Sequence, residues 1–350
     1  MNRLDRIKGC LLGGAVGDAL GAPVEFLEWP VIEARYGRRG IIDFTPAYGR
    51  IGAITDDTQM MLFTAEGLLR AYVRGSSRGI CHVPGVIHHA LLRWLVTQNE
   101  QPATHVSQDG WLISERALWA RRAPGTTCIS ALKASKRLGI PAQNNSKGCG
   151  ALMRSAPCAF FANAFEWASE AGQLTHGHPS GYLAAGLFAD ILQRMADHGA
   201  GLERAVVDSL ATHGDKPGMH EVRELLERVL FFVREGYRPT PERISELGAG
   251  WVAEEALAIG VWCALMADNL EDGIILAVNH SGDSDSTGLV AGHLLGIEYG
   301  AAAIPARWFQ RLELRAVIER VAEDIERVPR DYYGYGGEDD EWIELAYPGG

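Results

Sequence analysis

The sequence predicts an all-α fold, a compact bundle of many helices. Three observations carry this. Apolar residues recur at helical spacing in segments at about 4–20, 57–73, 85–97, 111–121, 127–138, 148–160, 180–197, 218–234, 253–267, 270–279, 286–299 and 308–327. Strand-like alternation is confined to one short run, Gly40–Phe44. Two of the segments place a glycine at every fourth residue, a spacing that has meaning only on a helix face.

Composition is consistent with such a bundle. Of 350 residues, 47% are apolar and 22% charged, which excludes disordered, collagenous and low-complexity chains. A chain this long buries roughly three quarters of its unfolded surface, so it needs no disulfide or metal staple to fold. No 30–45-residue repeat is present, so a solenoid is disfavoured. The loops Arg122–Gly125, Leu138–Gly148 and His213–Gly218 are too short for domain linkers. One domain over residues 1–330 is expected, followed by an acidic, aromatic tail at 331–350.

The formal charge is −11. Six acids of the tail supply part of it, with no Lys or Arg among the last twenty residues. The tail reads as a solvated end. This balance argues against a grip on nucleic acid. The six cysteines (Cys10, Cys81, Cys128, Cys149, Cys158, Cys263) form no CxxC pair. The N-terminal apolar run is short and glycine-rich and reaches Asp18 without a clean cleavage pattern, so it is not read as a signal peptide. No stretch reaches 18 apolar residues. A cytoplasmic protein without a membrane span is expected.

The first helix carries Gly9, Gly13, Gly17 and Gly21 on one face. The segment near 286–299 carries Gly288, Gly292, Gly296 and then Gly300. An interior glycine costs about 0.8–1 kcal/mol relative to alanine, so a repeated cost on one face needs close backbone approach to offset it. These two helices are expected to be central and packed on each other.

Each stripe has an acidic neighbour. Thr55-Asp56-Asp57-Thr58 opens the helix after residue 56, and Asp283-Ser284-Asp285-Ser286-Thr287 opens the second glycine helix. Helix capping accounts for one or two of these oxygens. Carboxylates and hydroxyls from two helix starts also suit hard cations such as Mg²⁺, each start supplying half of one site. A third segment, Asn144 to Arg154, is glycine-rich and reads as a helix start with exposed N–H groups, able to take a phosphate. It is neither a Walker A loop nor a dinucleotide fingerprint. His176 and His178 lack further nitrogen or sulfur ligands nearby, so zinc is disfavoured.

These residues form an ordered series: GCLLGGAVGDALGAPVEF, ITDDTQM, SKGCGALMRSAP, LTHGHPSG and NHSGDSDSTGLVAGHLLG. The series resembles the motifs of the ADP-ribosylglycohydrolases, and it runs from residue 9 to about 296. The resemblance implies an orthogonal all-α bundle with two Mg²⁺ ions, or Mn²⁺. It implies hydrolysis of the bond joining ADP-ribose to a protein side chain. Thr55, Asp56 and Asp57 match the family's first metal motif, and Asp283 and Asp285 the second. Ser286 stands where many members have Thr and keeps a hydroxyl oxygen. Glu25 matches a glutamate that lies over the site in some members. Glu25, Asp57 and Asp285 are the catalytic candidates.

Asn145, Ser146, Gly148 and Gly150 match the segment that holds the diphosphate and ribose, and His176 a residue lining the ligand. Asp109 resembles an aspartate that faces the guanidinium in arginine-directed members; the alternative is a cap on a helix at Trp111. The resemblance therefore implies an ADP-ribosylated protein as partner, most readily arginine-linked, and a role against an ADP-ribosylating toxin. In a dual role against such a toxin, Tyr332, Tyr333, Tyr335 and Trp342 of the tail are the expected partner contacts; a module that binds ADP-ribose or blocks an ADP-ribosyltransferase without turnover is the alternative. A structural, crystallin-like protein is a third reading.

Overall fold

The computed structural model describes residues 1–337 and 339–349. Its helices in chain order are α1 (Arg3–Gly21), α2 (Trp29–Tyr36), α3 (Asp56–Arg78), α4 (Val83–Thr97), α5 (Thr126–Ala134), α6 (Ala164–Gln173), α7 (Pro179–His198) and α8 (Leu202–His213). They continue with α9 (His220–Arg234), α10 (Pro241–Ile244), α11 (Ala253–Leu265), α12 (Leu270–Val278), α13 (Ser284–Tyr299), α14 (Ala306–Phe309), α15 (Arg315–Asp331) and α16 (Asp340–Ala346). A small hairpin, β1 (Pro46–Ala47) antiparallel to β2 (Arg50–Ile51), is the one sheet among the described residues. No described helix is long and apolar enough to cross a membrane.

The glycine stripes meet. A Cβ on Gly9 would lie 2.1 Å from the Gly296 carbonyl oxygen, one on Gly13 2.3 Å from that of Gly292, and one on Gly17 1.9 Å from that of Gly288. Rising numbers on α1 pair with falling numbers on α13, so the helices run antiparallel. Backbone touches backbone, and the propensity cost of the glycines is offset by packing that no other residue permits. α1 is buried almost all round, from Ile7 through Leu20, and α13 likewise through Ile297. They form the centre of the bundle, with α12 and α11 against α13 and α15 against α1.

Several expectations need correction. The helix expected over 111–121 is two 3₁₀ turns, Leu112–Ser114 and Arg116–Leu118, separated by extended Glu115. Trp119 donates its indole N–H to the Ile113 carbonyl at 2.8 Å and folds the segment on itself. The helix expected over 148–160 is likewise two 3₁₀ turns, Cys149–Ala151 and Ala156–Phe160. Pro157 offers no N–H to continue a helix there. The segment at 308–327 is split, because Leu314 takes a left-handed conformation (φ 56°) between α14 and α15. The run Gly40–Phe44 is not a strand; the Ile41 N–H goes to Asn279 Oδ1 at 2.8 Å. Helices α2, α6, α8, α10 and α16 were not expected.

The tail is not a solvated end. Ile343, Tyr332 and Tyr347 are buried. Tyr347 donates to Asp324, and Tyr332 to Glu344 at 2.8 Å. Asp340 accepts the Gly336 and Gly337 N–H groups, each at 2.8 Å. Amphipathic α16 thus packs back on the bundle, and among the expected partner contacts Tyr333 and Tyr335 stay exposed. Glu338, one of the tail acids, lies outside the described residues.

Candidate active site

Antiparallel packing of the stripes sets one end of α1 beside one end of α13. Gly21, the last residue of α1, lies against Ser284, the first of α13. Glu25 follows four residues past Gly21, and Asp283 and Asp285 flank Ser284. Oxygens of Glu25, Asp283 and Asp285 all come within 4.8 Å of one another.

The start of α3 completes the cluster. Thr55 caps α3, its hydroxyl accepting from the Asp57 N–H at 3.2 Å. Asp56 Oδ2 accepts the Gly125 N–H at 3.2 Å. Ser286 donates its hydroxyl to Asp57 Oδ2 at 2.8 Å, tying the two helix starts together. Thr55, Asp56, Asp57, Asp283, Asp285 and Ser286 are all buried. The structure therefore assembles the whole set from three helix ends.

One residue of this cluster was missed by sequence reasoning. Asp18, fully buried on α1, accepts the Thr55 N–H at 3.0 Å, the Thr58 N–H at 3.2 Å and the Thr58 hydroxyl. It fixes the start of α3 against α1. Its signal was an acid inside an apolar, glycine-striped helix, where a charge is almost never buried unpaired.

Asp56, Asp57, Glu25, Asp283, Asp285 and Ser286 form one wall of a cleft. Thr126, Thr127, Cys128, Gly148, Cys149, Gly150, His176 and Trp251 also line it, and no described lining residue is Lys or Arg. Cys149 donates its thiol to Asp283 Oδ2 at 2.8 Å. His176 is buried, with Nδ1 at 2.8 Å from the Thr175 hydroxyl. Burial, then Arg154, pushes its pKa down to about 3, so its ring is neutral. Gly150 is required, since a Cβ there would meet Cys128 Sγ at 2.8 Å and His176 Cε1 at 3.1 Å.

The Gly148 turn differs from expectation. Two of its N–H groups are engaged: Gly148 donates to Ser146 Oγ at 3.3 Å, and Cys149 to the Trp251 carbonyl at 3.2 Å. No α-helix begins there, so a helix N-terminus for phosphate is absent from this segment. Ser146, 3.0 Å from the Thr127 hydroxyl, is not among the lining residues, and Asn145 is exposed and also outside the lining.

Asp109 is not brought to this cleft. Arg70 holds its carboxylate at 2.8 Å and its carbonyl at 2.6 Å, and it lines a separate cavity with Arg70, Arg74 and His89. The cause is Glu66, buried on α3 between Arg70 and Arg93 at 2.9 Å each. Arg70 has further N–H groups to satisfy in that buried network, and Asp109 supplies the acceptors. Neither the substrate role nor the helix-cap role describes it.

The electrostatics are those of crowded carboxylates. Burial, then Asp285, raises Asp18 to about 7. Burial, then Asp285, Asp283 and Asp56, raises Glu25 to about 11. Asp57 is also pushed well above the usual range, by burial first and Asp285 second, and Asp56, Asp283 and Asp285 are raised chiefly by burial. Glu25 Oε2 is buried without a hydrogen-bond partner among the described residues. A wall of hard oxygen donors, one of them orphaned, with no basic side chain facing it, fits divalent cations such as Mg²⁺.

The family model described as ADP-ribosylglycohydrolase matches residues 1–334. The chain is 26% identical over 328 residues to the ADP-ribosyl-[dinitrogen reductase] glycohydrolase of Rhodospirillum rubrum, covering 89% of this chain and 91% of that one. It is 28% identical over 338 residues to an ADP-ribosylarginine hydrolase of Pseudomonas putida, covering 93% and 80%. A solved structure titled ADP-ribosylglycohydrolase-related protein complex superposes with a TM-score of 0.68 at 28% identity, covering 94% of this chain and 99% of that one.

Proposed function

The chain belongs to the ADP-ribosylglycohydrolase family, and we propose that it hydrolyses the glycosidic bond joining ADP-ribose to an arginine side chain of a modified protein, using two Mg²⁺ or Mn²⁺ ions. The observation that carries the reading is the single cleft into which Glu25, Asp56, Asp57, Asp283 and Asp285 converge. The arginine linkage rests on the similarity to a relative named an ADP-ribosylarginine hydrolase, since Asp109 no longer supports it.

Asp56, Asp57, Asp283 and Asp285, with the hydroxyls of Thr55 and Ser286, would hold the ions. The ions supply Lewis acidity and a template for the ribose hydroxyls. The cleft measures about 210 Å³. That is below the roughly 300–1,000 Å³ of a pocket enclosing a whole ligand. The distal ribose enters, and the rest of ADP-ribose lies across the mouth.

Loss of the side chain leaves oxocarbenium-like positive charge on the anomeric carbon, which the acidic wall stabilises. Glu25, whose Oε2 has no hydrogen-bond partner among the described residues and which is not assigned to the ions, would pass a proton to the departing side-chain atom. Asp57, oriented by Ser286 Oγ, and Asp285 line the cleft from two different helix starts, and one of the two would accept the proton of the incoming water. Neutral His176 packs beside Gly150 and shapes the sugar-facing wall.

The full carboxylate set in one cleft favours turnover over mere binding. Removal of ADP-ribose from arginine would reverse what an arginine-directed toxin adds, which is the sense in which the protein would protect a cell. The test is incubation with arginine-, serine- and cysteine-linked ADP-ribosyl peptides, with Mg²⁺ and with EDTA. ADP-ribose release from the arginine peptide with Mg²⁺ is expected. No release from any of the three refutes the proposal.

A further inference from the structure

His176 lines the cleft, and a neutral imidazole offers an N–H on one nitrogen and a lone pair on the other. Groups that the function above leaves unused decide which of the two meets the cleft. Nδ1 lies 2.8 Å from the Thr175 hydroxyl, on the buried side. Nε2 sits at the cleft-lining turn, where a Cβ on Gly148 or on Gly150 would lie 3.4 Å from it. Nε2 has no hydrogen-bond partner among the described residues.

One hydroxyl proton settles the tautomer. Thr175 Oγ1 accepts from Arg154 Nη2 at 2.8 Å. Its own proton has two acceptors within reach, Nδ1 at 2.8 Å and the Gly172 carbonyl at 3.4 Å. That carbonyl already accepts the Thr175 N–H at 3.1 Å and the His176 N–H at 3.0 Å, which fills both of its lone pairs. The hydroxyl therefore donates to Nδ1. A neutral ring whose Nδ1 accepts carries its proton on Nε2.

Arg154 imposes this order. It is buried, and no carboxylate pairs with it among the described residues. Its guanidinium donates instead to the Gly150 carbonyl, to the Ala171 carbonyl at 2.8 Å and to Thr175 Oγ1. A buried charge without a counter-charge is costly, and capping two carbonyls does not need one. Here the charge occupies one lone pair of Thr175 Oγ1 and polarises its O–H toward Nδ1. It also disfavours a proton on Nδ1, which would point at the atom the cation already holds. The same side chain grips Gly150, so the turn and the ring are fixed to each other.

We propose that Arg154 is a positioning residue that acts through Thr175, holding His176 as the Nε2–H tautomer so that the ring presents the cleft with a fixed hydrogen-bond donor for a ligand oxygen. The use of that donor rests on the hydrolase reading above; the tautomer does not.

The test takes histidine-¹⁵N-labelled wild type, Thr175→Val, Thr175→Ser and Arg154→Met, with His176→Gln to assign the ring. Protonation of Nδ1 and Nε2 is read by NMR without ion or substrate. Melting is followed on the same samples, and kcat and KM are measured on an arginine-linked ADP-ribosyl peptide with Mg²⁺. The wild-type ring should carry its proton on Nε2. Thr175→Val keeps the shape and drops the hydroxyl. It and Arg154→Met should lose the single tautomer and about 10–100-fold in kcat/KM. Thr175→Ser should keep both, and Thr175→Val decides the question if Arg154→Met does not fold. A wild-type ring protonated on Nδ1 would overturn the proposal. Lost turnover in Thr175→Val with the tautomer unchanged would make the pair ordinary packing and overturn it as well. So would a lost tautomer with turnover unchanged, since the donor would then be idle. A wild type with the expected tautomer and no turnover sinks the hydrolase reading and leaves the Arg154–Thr175–His176 relay standing.

Discussion

Gly17→Ala tests the link between the glycine stripe and the chemistry. By helix propensity alone the substitution would stabilise α1 by about 1 kcal/mol. Packing opposes this. The new Cβ would lie 1.9 Å from the Gly288 oxygen, 2.2 Å from its carbonyl carbon and 2.7 Å from the Leu289 nitrogen, all backbone atoms with no rotamer to yield. Real Cβ atoms keep at least 3.0 Å from such neighbours. The helices must therefore part by about 1 Å at this level, at an overpacking cost of roughly 1–3 kcal/mol. Gly17 adjoins Asp18 and lies one turn before Gly21, at the end of α1 that carries the acidic cluster. A shift of about 1 Å there should lower turnover on the order of 10²-fold. Gly9→Ala is the control. It meets the Gly296 oxygen at 2.1 Å, yet it sits eight residues back, about 12 Å from Gly17 along the axis. It should destabilise comparably and leave turnover within a few-fold. The assays are chemical denaturation and ADP-ribose release from an arginine-linked peptide with Mg²⁺. A Gly17→Ala variant as stable as the wild type would refute the backbone contact. Equal turnover losses in both variants would refute the placement argument.

EDTA should abolish ADP-ribose release, and Mg²⁺ or Mn²⁺ should restore it; full activity after exhaustive chelation would exclude the metal role of the acidic wall. Asp285→Ala should melt normally but lose orders of magnitude in turnover, because the remaining oxygens cannot keep both ions placed; near wild-type turnover with a lowered Tm would make it a simple cap. The same variant gives a pH test in EDTA. Asp18 is raised from 3.8 to about 7, by burial and then by Asp285. The folded state thus binds that proton more tightly than the unfolded chain, so the contribution is full below about pH 4 and lost as pH rises through about 7. The Tm of Asp285→Ala relative to wild type should therefore be more favourable at pH 8 than at pH 5, with the histidines common to both cancelling; the opposite order would contradict the crowded-carboxylate picture. Asp109→Ala should leave turnover within about two-fold and cost roughly 1 kcal/mol or less, as expected for a half-exposed ion pair. A large loss of arginine-peptide turnover would return it to the substrate site.

What was legible in the sequence was local and periodic. Glycine at every fourth residue marked α1 and α13, and no other side chain suits the resulting backbone contact. Acids and hydroxyls before α3 and α13 marked the oxygen donors, because a helix start repeats its capping chemistry in a few adjacent residues. Elements without such signals were missed or misjudged. The segments near 111–121 and 148–160 carry helical spacing, but indole–carbonyl bonding at Trp119 and the lost N–H of Pro157 break them into short turns.

The tertiary structure decided how distant groups share partners. Asp18 gained its role from the N–H groups of Thr55 and Thr58, some forty residues away. Trp251 entered the cleft because its carbonyl was the acceptor available to Cys149. Asp109 lies outside the acidic cleft because Arg70, buried with Glu66, draws it into the neighbouring network. Periodicity records which face of an element turns inward. The pairing of a buried donor with an acceptor hundreds of residues away depends on which groups the packed helices leave unsatisfied, and that exists only once they have packed.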